Sequence, residues 1–548
     1  MPKTRSAMRE DLGSAQVTVS FDESKCDQVF ASLDQCHLPG AAVGIAIRGS
    51  PVYRKGFGLA NMELPVILSP TIRMRIASIS KHIVSLAYLL LCEEGRAGID
   101  DPVCRYFPEL NHVTHEVTLR QLMGNMGGLH DAFEISWLFS GTSQSVTSEQ
   151  LLALYRRLDE INAPPGTAWI YNNGGFLILS TAIERISGLS LEEFLRRRVF
   201  DPVGMYSTAL RRWDTDFIPN SAASHRLSVS GSFEKSNSFG TAWSGEGGVV
   251  STVNDMLCWL AHMDSPKVGN SDTWRMLRTS QTLANGTSTG YGLGLITGRY
   301  RGVHTVFHPG GGLGCSAQMI KVPAVGLDIV VMVNREDIHA MMLADQLLDA
   351  CLDGLEPVHK TRATALASGV FRSPTTQRVI QLFDTGGQQI VSVDGLDLVV
   401  EPDERGVLWP IGMWRYYKQG VTLMGDRERP ASVSLSDFGN LDVFERQEVL
   451  RSADVSSIAG HYRSDSTGSR VSIELGPDGP RLVTAGPFGS TAYWLECLSE
   501  GTWRARCPRV DYLGGVLSFD RDCDRGSSGF RFFSSLQRMR GLRFQRAT

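Results

Sequence analysis

The sequence lacks several features that would each indicate a particular class of protein. Long basic runs are absent, and 54 Lys plus Arg face 58 Asp plus Glu, so we expect neither nucleic acid nor an anionic membrane as a partner. No segment approaches the roughly 18 uncharged apolar residues of a transmembrane helix. The N-terminus has no apolar segment of the kind found in secretory signals, so a soluble, cytoplasmic protein is expected.

Paired cysteines are also missing. The ten cysteines are scattered along 548 residues, without C-x-x-C spacing and without nearby histidines. This distribution argues against a zinc site and favours free thiols in a reducing compartment. We expect neither a metal nor an organic cofactor.

The character of the chain changes near residue 356. Helix and strand patterns are interleaved over residues 20–355, which predicts one large α/β or α+β domain whose first and last strands share a sheet. Farther on, short alternating runs separated by Gly, Asp and Pro predict all-β modules.

The β-rich part contains an internal repeat. Gly369-x-Phe371-Arg-Ser matches Gly460-x-Tyr462-Arg-Ser at an offset of 91 residues. Such a repeat predicts two related antiparallel β-barrels, and the alternative is a chance similarity of two β-rich stretches. The expected barrels cover residues 356–450 and 451–548.

The apolar stretch Ile76 to Leu91 predicts a buried helix. Ser78 and Lys81 lie one turn apart on it, with the S-x-x-K spacing of a serine nucleophile and a lysine base. A lysine is rarely buried without a partner or a task. The structural alternative is a serine N-cap followed by a lysine that reaches solvent. A second S-x-x-K, Ser232 to Lys235, lies in a polar stretch, and we assign it to chance.

Two more short motifs accompany Ser78. Tyr171-x-Asn173 is the only Y-x-N in the sequence, and His308-x-Gly310 is the only H-x-G. Taken singly, a core tyrosine, a turn asparagine and a surface histidine are the structural alternatives. Together and in this order, the three motifs resemble those of the penicillin-recognising serine hydrolases, which include class C β-lactamases, DD-peptidases, and related esterases and D-aminopeptidases.

The resemblance extends over about residues 38–350, through stretches such as ISGLSLEEF, DPVGM, GGVVSTVNDM and YGLGL. Two motifs depart from the family pattern. Asn125 to Leu129 (NMGGL) stands where much of the family has H-x-S-G-L. His308-Pro309-Gly310 stands where β-lactamases have K-T-G, which weakens the β-lactamase option. A rival nucleophile motif, GTSTG at Gly286 to Gly290, follows a polar loop and not a strand, so we reject it.

The resemblance implies roles for the motif residues. Ser78 would attack an acyl carbon, with neutral Lys81 as the base. Tyr171 would pass the proton to the leaving amine, and Asn173 would face the same way in an extended segment and orient Lys81. Further residues implied are His308 for the proton network or a substrate hydrogen bond, the backbone N–H groups of Ser78 and Gly311 for the oxyanion, and Asn125, Gly310 and Tyr493 for substrate contacts.

The two predicted barrels make the chain similar to the bacterial D-aminopeptidases. In that branch a loop of the last barrel reaches the cleft, and the corresponding stretch here is Ala485 to Glu496. The implied activity is release of an N-terminal D-residue from a small peptide, amide or ester, with a homodimer expected from the resemblance alone. The alternatives are an esterase or β-lactamase/DD-peptidase-like hydrolase on the same site, and a penicillin-binding sensor without turnover.

An aminopeptidase must also hold the ammonium of its substrate, which requires carboxylates or carbonyls near the cleft. Asp131, Glu134 and Glu246 are candidates because they lie near the motifs in sequence. The alternative for each of them is a surface or structural role.

Overall fold

A computed structural model of the chain describes residues 17–228, 230–236, 240–358, 367–450, 455–508, 510, 512–520 and 528–547. Within these residues the chain forms an α/β domain followed by two closed antiparallel β-barrels of eight strands each, which confirms the predicted fold class. No helix of the described part is long and apolar enough to cross a membrane. Nine cysteines of this part are free thiols, and Cys523 lies outside the described residues.

The first domain is built on a six-stranded antiparallel sheet. The described strands of the whole domain, which include those of smaller sheets, are β1 Thr18–Val19, β2 Ala41–Ile47, β3 Ser50–Phe57, β4 Leu59–Asn61, β5 Val66–Ile67, β6 Met74–Arg75, β7 Ala209–Leu210, β8 His225–Leu227, β9 Phe233–Lys235, β10 Val249–Ser251, β11 Ile296–Tyr300, β12 Val303–Gly312, β13 Cys315–Val322, β14 Leu327–Val333 and β15 Leu352–Asp353. The strand order in the six-stranded sheet is β11-β12-β13-β14-β2-β3. Strand β14 pairs with β2, so the last strands of the domain join the first in one sheet, as predicted.

Helices cover this sheet and form the rest of the domain. They are α1 Glu23–Phe30, α2 Ser80–Glu93, α3 Leu119–Met123, α4 Ala132–Ser140, α5 Ser148–Arg157, α6 Asn173–Ser187, α7 Leu191–Leu195, α8 Asp201–Val203, α9 Val253–Asp264, α10 Ser271–Arg278 and α11 Ala340–Cys351. Helix α2 is buried from Ser80 to Leu91, as its apolar pattern predicts, and it packs against α6. Helix α9 packs so closely on the sheet that a Cβ at Gly44 would lie 2.5 Å from Val253.

Each barrel closes by pairing its first strand with its last. The first contains β16 Gly369–Arg372, β17 Val379–Thr385, β18 Gln388–Val393, β19 Leu396–Pro402, β20 Leu408–Pro410, β21 Gln419–Met424, β22 Ser432–Asp437 and β23 Asn440–Gln447. The second contains β24 Gly460–Ser464, β25 Ser469–Gly476, β26 Gly479–Gly486, β27 Gly489–Ser499, β28 Thr502–Arg506, β29 Gly514–Phe519, β30 Gly529–Ser534 and β31 Arg540–Arg546.

The sequence repeat has a structural counterpart at the closure of each barrel. In the first barrel the Arg446 guanidinium lies 4.9 Å from the centre of the Phe371 ring. It also lies beside Gly369, whose φ of +155° and lack of a Cβ leave room for it. The second barrel repeats this arrangement with Gly460, Tyr462 and Arg546. The two barrels are therefore related in detail and not only in strand number.

The second barrel docks on α4 of the first domain. The Phe139 ring lies 5.5 Å from the ring of Phe532 and 5.2 Å from that of Phe544, both inside the barrel. Thr484 and Tyr493 donate hydrogen bonds to the backbone carbonyl of Leu138. As a result, the apolar core of the α/β domain is continuous with the core of this barrel.

The first barrel contacts the α/β domain through the segment before β21 and the β22–β23 turn. Arg415 forms a two-pronged ion pair with Asp345 of α11, at 2.7 and 2.9 Å. Lys418 donates a hydrogen bond to the carbonyl of Ser288, and the Phe438 ring stacks on Trp169. Ser288 belongs to the GTSTG stretch, so this stretch forms part of the contact between the α/β domain and the first barrel.

Candidate active site

Ser78 lies in a 3₁₀ turn, Ala77–Ile79, directly before α2. Ala77 has a φ of +46°, a conformation that non-glycine residues seldom adopt and that is often found at functional positions. Strand β12 passes this turn so closely that a Cβ at Gly310 would lie 2.2 Å from the Ile76 carbonyl oxygen. Ser78 therefore lies between the start of a buried helix and the H-x-G strand.

Lys81 is completely buried and makes three polar contacts. Its Nζ lies 3.1 Å from Ser78 Oγ, 2.8 Å from Asn173 Oδ1 and 2.6 Å from the Glu246 carbonyl oxygen. Burial lowers the pKa of Lys81 far below its usual value, and the charge of Arg538 acts in the same direction. Nζ donates hydrogen bonds to Asn173 Oδ1 and to the Glu246 carbonyl oxygen, and a neutral amine in this position can turn its lone pair to the Ser78 hydroxyl.

The Tyr171 ring lies close to both Lys81 and Arg538. Its centre is 4.7 Å from Lys81 Nζ and 4.9 Å from the Arg538 guanidinium carbon. Burial raises the pKa of the Tyr171 phenol, while its hydrogen bond with Ser78 and the charge of Arg538 act in the opposite direction. The phenol is therefore protonated at neutral pH and contacts the Ser78 hydroxyl.

Asn173 is the first residue of α6, so the prediction of an extended segment from Tyr171 to Asn173 is wrong. Asn172 is the N-cap of that helix. The buried Asp131 carboxylate accepts hydrogen bonds from the backbone N–H groups of Asn173 and Gly174, and it also caps α4. Two helix N-termini held by one carboxylate fix the position of the Asn173 side chain beside Lys81.

The three carboxylates considered for the substrate ammonium are all buried, so a surface position is wrong for each. Asp131 is used in helix capping. Glu134 accepts a hydrogen bond from Ser534, and Glu246 accepts one from the backbone N–H of Ser244. Burial raises the pKa of Glu134 and of Glu246 to about 7.

His308 is buried on β12, and both of its ring nitrogens have partners. Nδ1 lies 2.7 Å from the Pro309 carbonyl oxygen and Nε2 lies 3.1 Å from the Tyr291 hydroxyl oxygen. Burial lowers the pKa of His308 to about 3, so the ring is neutral at pH 7. The carbonyl contact requires the proton on Nδ1, and Nε2 then accepts from Tyr291. His308 thus supports the cavity wall through Tyr291.

A cavity of about 150 Å³ opens beside Ser78, and all three domains contribute to its wall. The resemblance implied a contribution from the last barrel but placed it at Ala485 to Glu496, whereas Arg538 makes it, and a contribution from the first barrel was not predicted. Three aromatic residues within Trp414 to Tyr417 were a visible signal for the first barrel, whereas nothing in the sequence singled out Arg538. The lining residues are Ser78, Tyr171, Ile296, His308, Pro309, Gly310, Gly311, His339, Met341, Met413, Trp414, Tyr416, Tyr417 and Arg538.

Two predicted substrate contacts lie outside the set of residues that line this cavity. Tyr493 donates a hydrogen bond to Leu138 and lines a second cavity, next to Trp137, so the prediction that its hairpin reaches the cleft is wrong. The hairpin packs on α4 instead, where Gly486 fits against Ser140. Asn125 is buried, and its side-chain oxygen accepts a hydrogen bond from the backbone of Asn172. No group of three or more His, Cys, Asp or Glu side chains suited to a metal ion occurs in the described ranges.

The geometry on α2, α6 and β12 can be compared with known families. The family model described as Beta-lactamase matches residues 26–352. The chain belongs to the beta-lactamase family. The family match and the fold make it a serine hydrolase.

Two curated relatives of this beta-lactamase-family chain are D-aminopeptidases. The enzyme of Brucella anthropi is 28% identical over 454 residues, which cover 81% of the chain and 83% of the relative. The enzyme of Brucella ovis is 29% identical over 352 residues, which cover 64% of the chain and 66% of the relative.

Solved structures share the fold. The octameric penicillin-binding protein homologue from Pyrococcus abyssi superimposes with a TM-score of 0.56 at 21% identity, covering 78% of this chain and all of that one. The penicillin binding protein from Bacillus halodurans gives a TM-score of 0.51 at 21% identity, covering 59% of this chain and 97% of that one.

The burial of Lys81 predicts the pH dependence of the reaction. An ordinary lysine has a pKa near 10.5, whereas burial lowers the pKa of Lys81 well below that value, so the neutral base forms at lower pH. We expect kcat/KM for a neutral ester to rise with pH along one limb whose midpoint lies well below 10.5. Because burial raises the pKa of Tyr171 above the usual 10, no falling limb is expected below about pH 10.

The profile is measured with p-nitrophenyl acetate, which carries no titrating group of its own. Subtracting the rate of a Ser78→Ala variant removes hydrolysis by hydroxide. A midpoint near 10.5 would contradict the assignment of Lys81 as the base, because that value belongs to a solvated lysine.

Proposed function

We propose that this protein releases an N-terminal D-amino acid from short peptides, amides or esters through an acyl-enzyme on Ser78. The observation that carries the proposal is the environment of Lys81, which is buried, has a pKa lowered well below its usual value by that burial, and lies 3.1 Å from the Ser78 hydroxyl oxygen. The relationship to D-aminopeptidases, which extends over 81% of the chain, supports the substrate class.

The contacts support a two-step mechanism. In the first step Lys81 takes the proton of Ser78 while Oγ attacks the acyl carbon, and the protonated amine leaves as the Ser78 ester forms. Tyr171, hydrogen-bonded to Ser78, is the proposed donor to that amine. In the second step the Tyr171 phenolate takes a proton from water, which attacks the ester, and protonated Lys81 returns its proton to Ser78 Oγ as the acid leaves. The proposed oxyanion donors are the backbone N–H groups of Ser78 and Gly311.

The substrate ammonium needs a site near the scissile bond, and none of the three buried carboxylates is among the residues that line the cavity. The rings of Trp414, Tyr416 and Tyr417 line the cavity, and aromatic faces bind ammonium groups by cation–π interaction. A volume of about 150 Å³ favours a small first residue such as alanine.

The free thiols of the described residues support the cytoplasm as the location of the protein.

The test compares the p-nitroanilides of D-alanine and L-alanine with a p-nitrophenyl ester and a chromogenic cephalosporin. We expect kcat/KM for the D-alanine anilide to exceed that for the L-alanine anilide by at least about 100-fold, because the acyl carbon of the L-compound is displaced from Ser78 when its ammonium is bound. Cleavage of the ester or the cephalosporin without cleavage of either anilide would assign the chain to the esterase or β-lactamase branch.

A matched control separates binding from catalysis. The Ser78→Ala variant should bind the D-alanine anilide and release no p-nitroaniline. If this variant kept its activity, the nucleophile would lie elsewhere. If the wild-type protein bound a penicillin stoichiometrically without releasing it, the chain would be a sensor and not a hydrolase.

A further inference from the structure

Arg538 is the one residue charged at neutral pH among the described residues that line the cavity. The other titratable groups on the wall are two tyrosines with a strongly raised pKa, a third whose pKa is raised to about 12, and two histidines. Burial lowers the pKa of His308 to about 3 and that of His339 to about 4, so both rings are neutral. The cavity therefore presents one positive charge and no carboxylate.

The guanidinium of Arg538 has hydrogen-bonding capacity left. Its Nε is buried without a hydrogen-bond partner among the described residues. Its nearest carboxylate oxygen, on Asp131, lies 3.8 Å away, beyond hydrogen-bond distance, because Asp131 already accepts three backbone N–H groups. The charges of Asp131 and Glu134 nevertheless raise the pKa of Arg538. The result is a charged group that stacks on Tyr171 with donors available to a ligand.

The turn between β30 and β31 that carries Arg538 is held by all three domains. The Arg538 carbonyl accepts hydrogen bonds from the backbone of Asp131 and from the side chain of Asn162 in the first domain. The neighbouring Gln537 accepts hydrogen bonds from Arg378 and Gln419 of the first barrel, at 3.1 and 2.6 Å. A side chain on a turn fixed in this way is preorganised for a ligand.

We propose that Arg538 binds a carboxylate of the substrate. Arginine is suited to this role because its planar guanidinium pairs with a carboxylate through two hydrogen bonds. This inference rests on the proposed function and narrows it. With the ammonium on the aromatic wall, the preferred substrates are short D-aminoacyl peptides that end in a free carboxylate, and their amides are poorer substrates.

The test uses D-alanyl-glycine and D-alanyl-glycinamide, which share the ammonium and the scissile bond and differ in the terminal charge. For the wild-type protein we expect kcat/KM for the acid to exceed that for the amide by about 10-fold or more. In Arg538→Gln this ratio should fall to near 1, and Arg538→Lys, which keeps the charge and loses the planar fork, should lie between. The matched control is Arg543→Gln on the following strand, β31, because the Arg543 side chain is 63% exposed, and it should keep the wild-type ratio.

A binding measurement makes the inference independent of turnover. In the Ser78→Ala background, calorimetric titration should show that the acid binds about 10-fold more tightly than the amide, and the additional change Arg538→Gln should remove the difference. Equal affinities in the Ser78→Ala background would overturn the proposal for Arg538, even if the D-alanine anilide is cleaved. A retained difference in affinity without any cleavage would instead refute the proposed function and leave the carboxylate site in place.

Discussion

Replacing Ser78 with alanine, Lys81 with alanine, or both together is expected to lower kcat/KM for the D-alanine p-nitroanilide by about the same factor, roughly 10⁴ or more. The reason is that Nζ and Oγ, 3.1 Å apart, act as one unit. Without the amine the hydroxyl keeps its proton, and without the hydroxyl the amine has no nucleophile to activate. The double variant should therefore be no worse than either single variant.

The measurement is a double-mutant cycle on kcat/KM, with active-site titration by a fluorophosphonate to count reactive serines. The chain offers a matched control in its second S-x-x-K. Both residues are exposed: Ser232 directly precedes the short strand β9, and Lys235 is its last residue. Ser232→Ala and Lys235→Ala should therefore leave kcat/KM unchanged. Losses that multiply between Ser78 and Lys81 would show that the two residues act independently, and another base would then be required.

Replacing Phe139 with alanine is expected to lower the free energy of unfolding by about 3–5 kcal/mol. The Phe139 side chain is 1% exposed and packs between Phe532 and Phe544 of the second barrel. Its removal leaves a cavity at the joint between two domains. Because this barrel carries Arg538, activity on the dipeptide acid should fall as well, while the mechanism at Ser78 is unchanged.

Equilibrium unfolding in urea, followed by tryptophan fluorescence, measures this change. Phe217, which is fully exposed, provides a control of the same chemistry, and Phe217→Ala should shift the stability by no more than about 0.5 kcal/mol. If the two variants were equally stable, Phe139 would not hold the barrel to α4.

The features of the site that depend on short stretches of chain were predictable from the sequence. Ser78 and Lys81 share one helical turn, so their spacing was enough to bring them together. The barrels followed from alternating runs and from the match between Gly369 and Gly460, which mark the same position in two related modules. Tyr171 and Asn173 were identified from their motif, although the extended conformation assigned to them was wrong, because Asn172 caps a helix that begins at Asn173.

Which loop of each barrel lines the cavity depends on domain docking and was not predictable. Arg538 lies far from Ser78 in sequence and reaches the cavity only because Gln537 and Asn162 hold its turn. The hairpin of Tyr493 had an aromatic, glycine-rich sequence that suited a cleft loop, but the position of the second barrel on α4 turns that hairpin elsewhere. Patterns of burial along a strand give no information about which end of a barrel meets a neighbouring domain.

The distribution of the cavity wall over three domains has an evolutionary consequence. Ser78, Lys81 and Tyr171, the groups that would move protons, all belong to the first domain, whereas Trp414 and Arg538 come from two copies of one duplicated module. After the duplication, each copy was free to acquire a different loop facing the same cavity. Mutations in those loops can alter which compounds are accepted while the reacting groups stay intact. Relatives with the same S-x-x-K and Y-x-N motifs can therefore differ in substrate specificity and share one reaction mechanism.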